Sequence, residues 1–229
     1  MHMTWHDLLF AHWPVPAAAL RALIPAPLQV DEYDGTAWLG VVPFRMSKVT
    51  PRGVPALPWL SAFPELNVRT YVTAEGKPGV WFFSLDAANP VAVAVARAWY
   101  HLPYFRARVR CAALASGGVR YESMRTHRGA PAAQLRGEYR PVAPASPATR
   151  GTLDYFLTER YCLYAADAHG RVFRGEIHHR PWPLQSAEAD FAINTMALAH
   201  GVTLPQRAPL LHFARTLDVL AWPLEPVGE

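Results

Sequence analysis

The chain of 229 residues is 51% hydrophobic and only 17% charged, a composition that excludes a disordered protein and supplies one large core. Its formal net charge is +4, but the basic residues are dispersed arginines with only two lysines, so the sequence does not indicate a nucleic-acid-binding protein. The widely spaced Cys111 and Cys162, and the lack of a signal-peptide pattern or an 18-residue apolar run, predict a cytoplasmic protein without a membrane span.

The N-terminal part predicts short elements separated by prolines. A helix is predicted over residues 17–23, before Pro25, and strands follow at residues 28–31, 37–42 and 44–49. Asp34-Gly35 is typical of a hairpin turn. The stretch 50–62 contains three prolines and predicts an irregular loop, while His2 and His6 lie at a terminus that we expect to fray.

Residues 63–110 contain the clearest pattern in the chain: a strand, a tight turn, a strand, a helix and a further strand. Residues 66–73 alternate strictly between apolar and other side chains. The face opposite the apolar one carries Glu65, Asn67, Arg69 and Tyr71. Residues 80–85 are apolar on both faces and predict a central strand. Together these strands predict a sheet with one polar face that is able to line a pocket.

The helix of this stretch has clear start and stop signals. Asn89 is a predicted N-cap with Pro90 at the first helical position, and the helix ends before Pro103. The strand that follows places four alternate side chains on one face: Tyr104, Arg106, Arg108 and Arg110.

The rest of the chain predicts mainly strands. They lie at residues 110–114 and 119–126, joined by Ser116-Gly117-Gly118, and at 133–139, 160–166, 171–178 and 210–221, with helices at 153–158 and 187–199. Antiparallel hairpins with singly inserted helices predict one β-rich α+β domain over residues 1–229. We expect a closed or nearly closed antiparallel barrel or sandwich.

The polar faces allow two interpretations each. Glu65 and Arg69 lie either on a solvated sheet face or inside a barrel, where the arginine holds a carboxylate that transfers protons. The arginines after Tyr104 either form a solvent-facing ladder with Glu122 or Glu138, or supply one or two contacts to an anion. There is no phosphate-binding loop, nucleophile elbow or metal-ligand spacing, so no metal and no cofactor is predicted.

Seven segments together resemble the YqjF-like family of uncharacterised bacterial proteins (domain of unknown function, family 2071). They extend over almost the whole chain, at residues 10–16, 37–44, 63–72, 79–86, 102–105, 156–161 and 179–185. That family is in turn similar to the acetoacetate decarboxylase-like superfamily. The resemblance implies a β-rich closed sheet that encloses a small polar cavity.

The resemblance also implies where a site lies. Acetoacetate decarboxylase uses a Schiff-base lysine that follows a Phe-Pro pair, and the matching place here is Leu102-Pro103-Tyr104. Tyr104 therefore stands at the lysine position, and Glu65 stands where the relative has a pocket glutamate. Imine chemistry requires an amine, and neither Lys48 nor Lys77 lies in a matching motif, so Schiff-base decarboxylation is not expected.

We therefore expect an enclosed pocket for a small carboxylate or carbonyl compound, and the sequence leaves enzymatic activity open. The chain is a lyase or isomerase that acts by proton transfer, a non-catalytic binding or sensing domain, or a structural protein with a filled barrel. In the first case the catalytic candidates are Glu65 and Tyr104, and the ligand-binding candidates are Arg69, Arg106, Asn67 and Glu159. The expected partner is a small anionic or carbonyl-containing molecule, with no nucleic acid or membrane, and a homo-oligomer is allowed.

Overall fold

The structure is a computed structural model that describes residues 1–50 and 61–228. The first half of the chain forms β1 (His2–Val15), α1 (Ala17–Arg21), β2 (Gln29–Val30), β3 (Ala37–Thr50), β4 (Phe63–Ala74), β5 (Lys77–Ala87), α2 (Pro90–Tyr100) and β6 (Tyr104–Ala113). The second half forms β7 (Val119–Arg125), β8 (Gln134–Pro141), α3 (Leu153–Thr158), β9 (Cys162–Ala166), β10 (Val172–His179), β11 (Gln185–Asn194), a short 3-10 helix (Leu198–His200) and β12 (Leu210–Pro226).

Seven of the strands pair edge to edge in a closed cycle, in the order β1, β3, β4, β5, β9, β10 and β12, with β12 returning to β1. Their pairings are antiparallel except for β5 with β9, which is parallel. This cycle leaves no free edge among its members, which explains how long strands such as β1 and β12 avoid an exposed edge. The predicted β-rich, closed or nearly closed fold is confirmed.

The other long strands form a second sheet that leaves the ring and returns to it. β6 pairs in parallel with the last residues of β5, then β7, β8 and β11 follow in antiparallel order, and the start of β11 pairs with β12. The sheet covers the outside of β1, β3 and β4, because Tyr121 and Leu135 pack in one core cluster with Leu9, Val41 and Leu66. The space between this sheet and the ring is therefore a filled hydrophobic core.

The strands β1, β3 and β4 form a wall that the filled core and the inside of the ring share. On β4, Leu66 and Val68 face the filled core. The register pairs Phe44 of β3 with Glu65 of β4, and Phe44 belongs to the separate cluster inside the ring that also contains Phe63. Alternation along each strand thus separates two interiors.

Helix α2 begins and ends where the sequence predicts. The Asn89 side chain accepts hydrogen bonds from the backbone N–H groups of Val91 (3.0 Å) and Ala92 (3.1 Å), and Pro90 follows the cap. The helix ends at His101, which has a positive φ of 50°. It packs against β5 and β6.

Two features predicted from the sequence are wrong. The helix predicted over residues 187–199 is instead β11 followed by the 3-10 helix, with strictly alternating exposure along the strand. Alanine and glutamate favour a helix, but pairing with β8 outweighs that weak preference. The N-terminus does not fray, since residues 2–15 form β1 between β3 and β12.

The predicted irregular loop over residues 50–62 lies outside the described residues, apart from Thr50 at the end of β3 and the two residues that precede β4. The two strands predicted at 37–42 and 44–49 are one continuous strand, β3. None of the helices in the described part of the chain has the length and hydropathy needed to cross a membrane.

Candidate functional site

The inside of the seven-stranded ring contains a cavity of about 240 Å³. The polar face of β4 lines it with Glu65, Asn67 and Arg69, as the alternation along the strand requires. Tyr104, the first residue of β6, completes this polar group from beyond β5, the strand that pairs with both β4 and β6. The structure therefore brings four of the six predicted site residues to one cavity.

Glu65 is a buried carboxyl without a counter-charge. It is 2% exposed, and within residues 1–50 and 61–228 no arginine, lysine or histidine forms an ion pair with it. Burial raises the pKa of Glu65 from its ordinary value to about 8, and the nearby Asp86 carboxylate adds to the rise. At neutral pH Glu65 is therefore mainly protonated in the folded protein. Its pKa lies about one unit above neutral pH, so a minor fraction is still ionised.

Two tyrosines hold Glu65 from opposite sides of the β4 wall. From the cavity side, the Tyr104 hydroxyl donates a hydrogen bond to Oε2 of Glu65 at 2.7 Å. From the filled core, the Tyr121 hydroxyl donates to the backbone carbonyl of Glu65, also at 2.7 Å. Burial and the adjacent carboxyl raise the pKa of Tyr104 well above its usual range, so this phenol acts as a hydrogen-bond donor.

Arg69 lies further along the same face of β4. Its Nη2 donates to the Tyr71 hydroxyl and to the Leu157 carbonyl, both at 3.3 Å, and its guanidinium lies 5.0 Å from the centre of the Phe10 ring. In the described part of the chain, Arg69 Nε and Asn67 Oδ1 are buried without a hydrogen-bond partner. A donor and an acceptor therefore remain available on the cavity wall, which is unusual for buried polar atoms.

The wall also contains polar residues that the sequence reasoning did not select: Thr158, Arg160, Glu176, His179 and Trp182. Arg160 is fixed by hydrogen bonds of 2.6 Å to the Phe156 carbonyl and to the Asp31 carboxylate. Its Nη2 is buried without a partner among the described residues. The available signal was the family resemblance, since all of these residues except Glu176 lie in the matched segments 156–161 and 179–185.

Two predicted ligand contacts lie elsewhere. Arg106 has an exposed side chain outside the cavity, because β6 turns from β5 into the second sheet and that face of the strand meets solvent. Glu159 is buried but is not part of the cavity wall; its Oε1 accepts the backbone N–H of Trp182 at 2.8 Å. Glu159 therefore braces the start of the segment that carries Trp182.

The chain's two lysines, both among the described residues, also lie outside the cavity wall. Lys77 forms an ion pair with Glu176 at the start of β5, and Lys48 lies near the end of β3. The described residues contain no cluster of three or more histidine, cysteine, aspartate or glutamate side chains with the geometry of a metal site.

The comparison with known proteins places the chain in a family. Residues 2–218 match the family DUF2071, which is described as an uncharacterized conserved protein. The chain belongs to this family. It is also 47% identical over 224 residues to the uncharacterized protein YqjF of Bacillus subtilis (strain 168), an alignment that covers 98% of this chain and 91% of YqjF. The resemblance stated from the sequence is confirmed.

Solved structures with a similar fold include several enzymes. Acetoacetate decarboxylase from Legionella pneumophila has a TM-score of 0.66 and 12% identity, covering 99% of this chain and 87% of its own. The enduracididine biosynthesis enzyme MppR, complexed with the condensation product of pyruvate and imidazole 4-carboxaldehyde, has a TM-score of 0.67 and 12% identity, covering 98% and 88%. At this identity the similarity establishes an acetoacetate decarboxylase-like fold.

Proposed function

We propose that the cavity binds a small carboxylate or carbonyl compound and that Glu65 transfers a proton on it, as in a lyase or isomerase that forms no Schiff base. The observation that carries the proposal is the Glu65–Tyr104 pair: a buried carboxyl that has no counter-charge among the described residues, with a pKa of about 8, beside a hydroxyl donor. A carboxyl with this pKa is suited to general acid–base catalysis near neutral pH.

Each polar group has a distinct part in this reaction. The Glu65 carboxylate takes a proton from the carbon next to the carbonyl and returns it later. The Tyr104 hydroxyl turns from Glu65 to the carbonyl oxygen and donates a hydrogen bond as negative charge develops there. Arg69, with the amide of Asn67 between it and Glu65 on the strand, binds the carboxylate group of the ligand.

Glu65 and Arg69 are four residues apart on one strand, which separates their Cα atoms by about 13 Å. The long arginine side chain covers part of this distance, and the ligand spans the remainder. The carboxylate and the reacting carbonyl are therefore placed at two different points along β4, with Asn67 between them.

The structural relatives support the choice of ligand class. MppR has been solved with pyruvate, and the acetoacetate decarboxylases act on an oxo acid by name. This chain has no lysine on its cavity wall among the described residues, so the shared fold supports an oxo-acid ligand without supporting imine chemistry.

Binding without catalysis is the second candidate function. It is favoured by the same lack of a cavity lysine, because the residue at the start of β6 is Tyr104. A structural protein with a filled barrel is the least favoured of the three, because the ring encloses about 240 Å³.

Hydrogen exchange tests the proposal without knowledge of the natural substrate. The protein is incubated in D₂O with 2-oxo acids of three to eight carbons, and the loss of the C3 proton signal is followed by NMR. We expect exchange above the buffer rate for at least one of them. The rate should rise with pH and level off above about 8, because the basic form of Glu65 is the carboxylate.

The matched variant is Glu65→Gln, which keeps the size and the acceptor for Tyr104 but has no titrating group. Its exchange rate should fall at least 100-fold, the usual contribution of a general base. Equal exchange by the variant and the wild type would rule out the role of Glu65. Binding of an oxo acid without any exchange would support the binding domain in place of the enzyme.

A further inference from the structure

Most of the cavity wall carries no polar group. On β1 and β3 the side chains that face the cavity are apolar or aromatic: Met3, Trp5, Val42, Phe44 and Met46. A fully polar ligand would lose its hydration against these side chains without gaining hydrogen bonds, at a cost in binding free energy. The wall therefore favours a ligand with a substantial apolar part.

Part of this apolar wall lies beyond Glu65, on the side away from Arg69, whereas Val42 pairs with Asn67 between these two residues. Phe63 precedes Glu65 on the same face of β4, and the register pairs Phe63 with Met46 of β3. On the adjoining strands, Met3 of β1 pairs with Val219 of β12, and both line the cavity. An apolar compartment therefore adjoins Glu65 at this end of the cavity, and His179, which pairs with Val219, lies at its border.

Helix α2 and the last part of β12 complete this apolar compartment. Ala92 and Ala96 of α2 line it, as does Ala221 of β12. Two larger residues of the wall also reach solvent: Val95 is 39% exposed and Trp222 is 44% exposed. Single exposed apolar side chains are ordinary on protein surfaces. These two belong to the cavity wall, so the compartment continues to the surface as an apolar opening.

From the mainly apolar wall and its apolar opening we infer that the ligand is amphipathic. Its carboxylate or carbonyl group lies between Glu65 and Arg69, and a hydrocarbon or aromatic tail extends past Phe63 towards α2 and β12. This inference rests on the proposed function, because the head group is the one proposed there. The tail determines selectivity: compounds with the same head group are distinguished by the apolar surface they bury.

Calorimetric titration of the wild type with unbranched 2-oxo acids of three, four, six and eight carbons tests the tail. The head group is constant in this series, so differences in affinity report the tail. We expect the dissociation constant to fall by about fourfold for each added methylene until the compartment is full. This factor corresponds to the free energy of burying one methylene group.

The variant Ala96→Phe fills the compartment from α2, and Ala98→Phe is the matched control because Ala98 is exposed on the same helix. For Ala96→Phe we expect at least a tenfold loss of affinity for the eight-carbon acid and less than a twofold change for the three-carbon acid. Ala98→Phe should change neither. Circular dichroism establishes that both variants are folded.

The outcomes separate this inference from the proposed function. Equal affinity of the wild type for all chain lengths would overturn the amphipathic ligand and leave the oxo-acid site intact. No binding of any 2-oxo acid would overturn both. If Ala96→Phe lost the same affinity for short and long acids, the tail would not lie beside α2. The wild-type series alone decides the first two outcomes, so the inference stays testable if Ala96→Phe does not fold.

Discussion

Both faces of strand β4 are largely buried, but they differ in chemistry. Leu66 and Val68 are fully buried in the core between the ring and the second sheet, where tyrosine, leucine and phenylalanine side chains fill the space. On the opposite face, Glu65 and Asn67 are 2% and 5% exposed but line a cavity. Burial alone therefore does not distinguish core from site in this protein. On the described strand β4, the buried polar atoms without a hydrogen-bond partner, Asn67 Oδ1 and Arg69 Nε, both lie on the cavity face.

The contrast between core and cavity is sharper for two buried carboxyls on neighbouring strands. Asp86 of β5 faces the filled core, where Arg125 binds both of its oxygens at 2.7 and 2.6 Å and lies 4.2 Å from the centre of the Phe105 ring. Glu65 faces the cavity, and within residues 1–50 and 61–228 its carboxyl accepts a hydrogen bond only from the Tyr104 hydroxyl. The core supplies a counter-charge to its acid, whereas the cavity leaves its acid neutral and available for proton transfer.

The largest expected effect is the pH dependence of stability that Glu65 imposes. Between the ordinary pKa of 4.5 and the folded pKa of about 8, the folded state binds one more proton than the unfolded chain. The free energy of unfolding should therefore fall as the pH rises through this window, by about 5 kcal/mol at about 1.4 kcal/mol per pKa unit. In Glu65→Gln this contribution disappears, so the variant should exceed the wild type in stability above pH 8.

Urea unfolding of both proteins at intervals from pH 4 to pH 9 measures this contribution. The control is Glu138→Gln, which removes an exposed carboxylate that pairs with Arg120 on the second sheet. Of the two substitutions, only Glu65→Gln should reduce the difference in the free energy of unfolding between low and high pH. Parallel pH profiles for Glu65→Gln and the wild type would show that Glu65 ionises normally in the fold, and the contrast with Asp86 would fail.

The next effect concerns Asp86, the buried carboxyl that has a counter-charge. Arg125→Met should destabilise the protein by about 3–5 kcal/mol at neutral pH, because it leaves Asp86 buried without its counter-charge. Arg120→Met is the matched control, since its ion pair with Glu138 is about half exposed and should contribute less than about 1 kcal/mol. The measurement is the free energy of unfolding in urea. Equal losses in the two variants would contradict the difference in burial.

The β-rich fold and the polar face of β4 were predictable because alternation is a local property. The strict pattern from Glu65 to Val72 determines which side chains share a face, and Asn89-Pro90 determines where α2 begins. The strand β11 was not predictable in the same way. Its alanines and acids favour a helix locally, and only its pairing with β8 makes it a strand.

Alternation predicted the site residues of β4, and the family resemblance predicted Tyr104, but alternation was not sufficient along β6. Arg106 shares a strand face with Tyr104 by alternation, but β6 contacts β5 over three residues and then diverges, so the two side chains have different surroundings. Arg160 and Trp182 reach the cavity wall from the other side of the ring, through β9 and β10. No local pattern specifies such long-range neighbours.

The smallest expected effect distinguishes the two tyrosines that hold Glu65. Tyr104→Phe removes the donor on the cavity side, and Tyr121→Phe removes the donor in the filled core. Each should cost about 1 kcal/mol of stability, the usual net value of one hydrogen bond. Only Tyr104→Phe should also weaken binding of an oxo acid, by about fivefold, because only this hydroxyl reaches the ligand.

The pH profile gives a second readout for this pair of variants. The hydrogen bond from Tyr104 lowers the pKa of Glu65 against the effect of burial, so its loss should move the pH at which stability levels off upward in Tyr104→Phe. Tyr121 contacts the backbone carbonyl, so Tyr121→Phe should leave that pH unchanged. If both variants shift the profile and the affinity equally, Tyr104 is a structural residue like Tyr121, and Glu65 acts without a partner in the cavity.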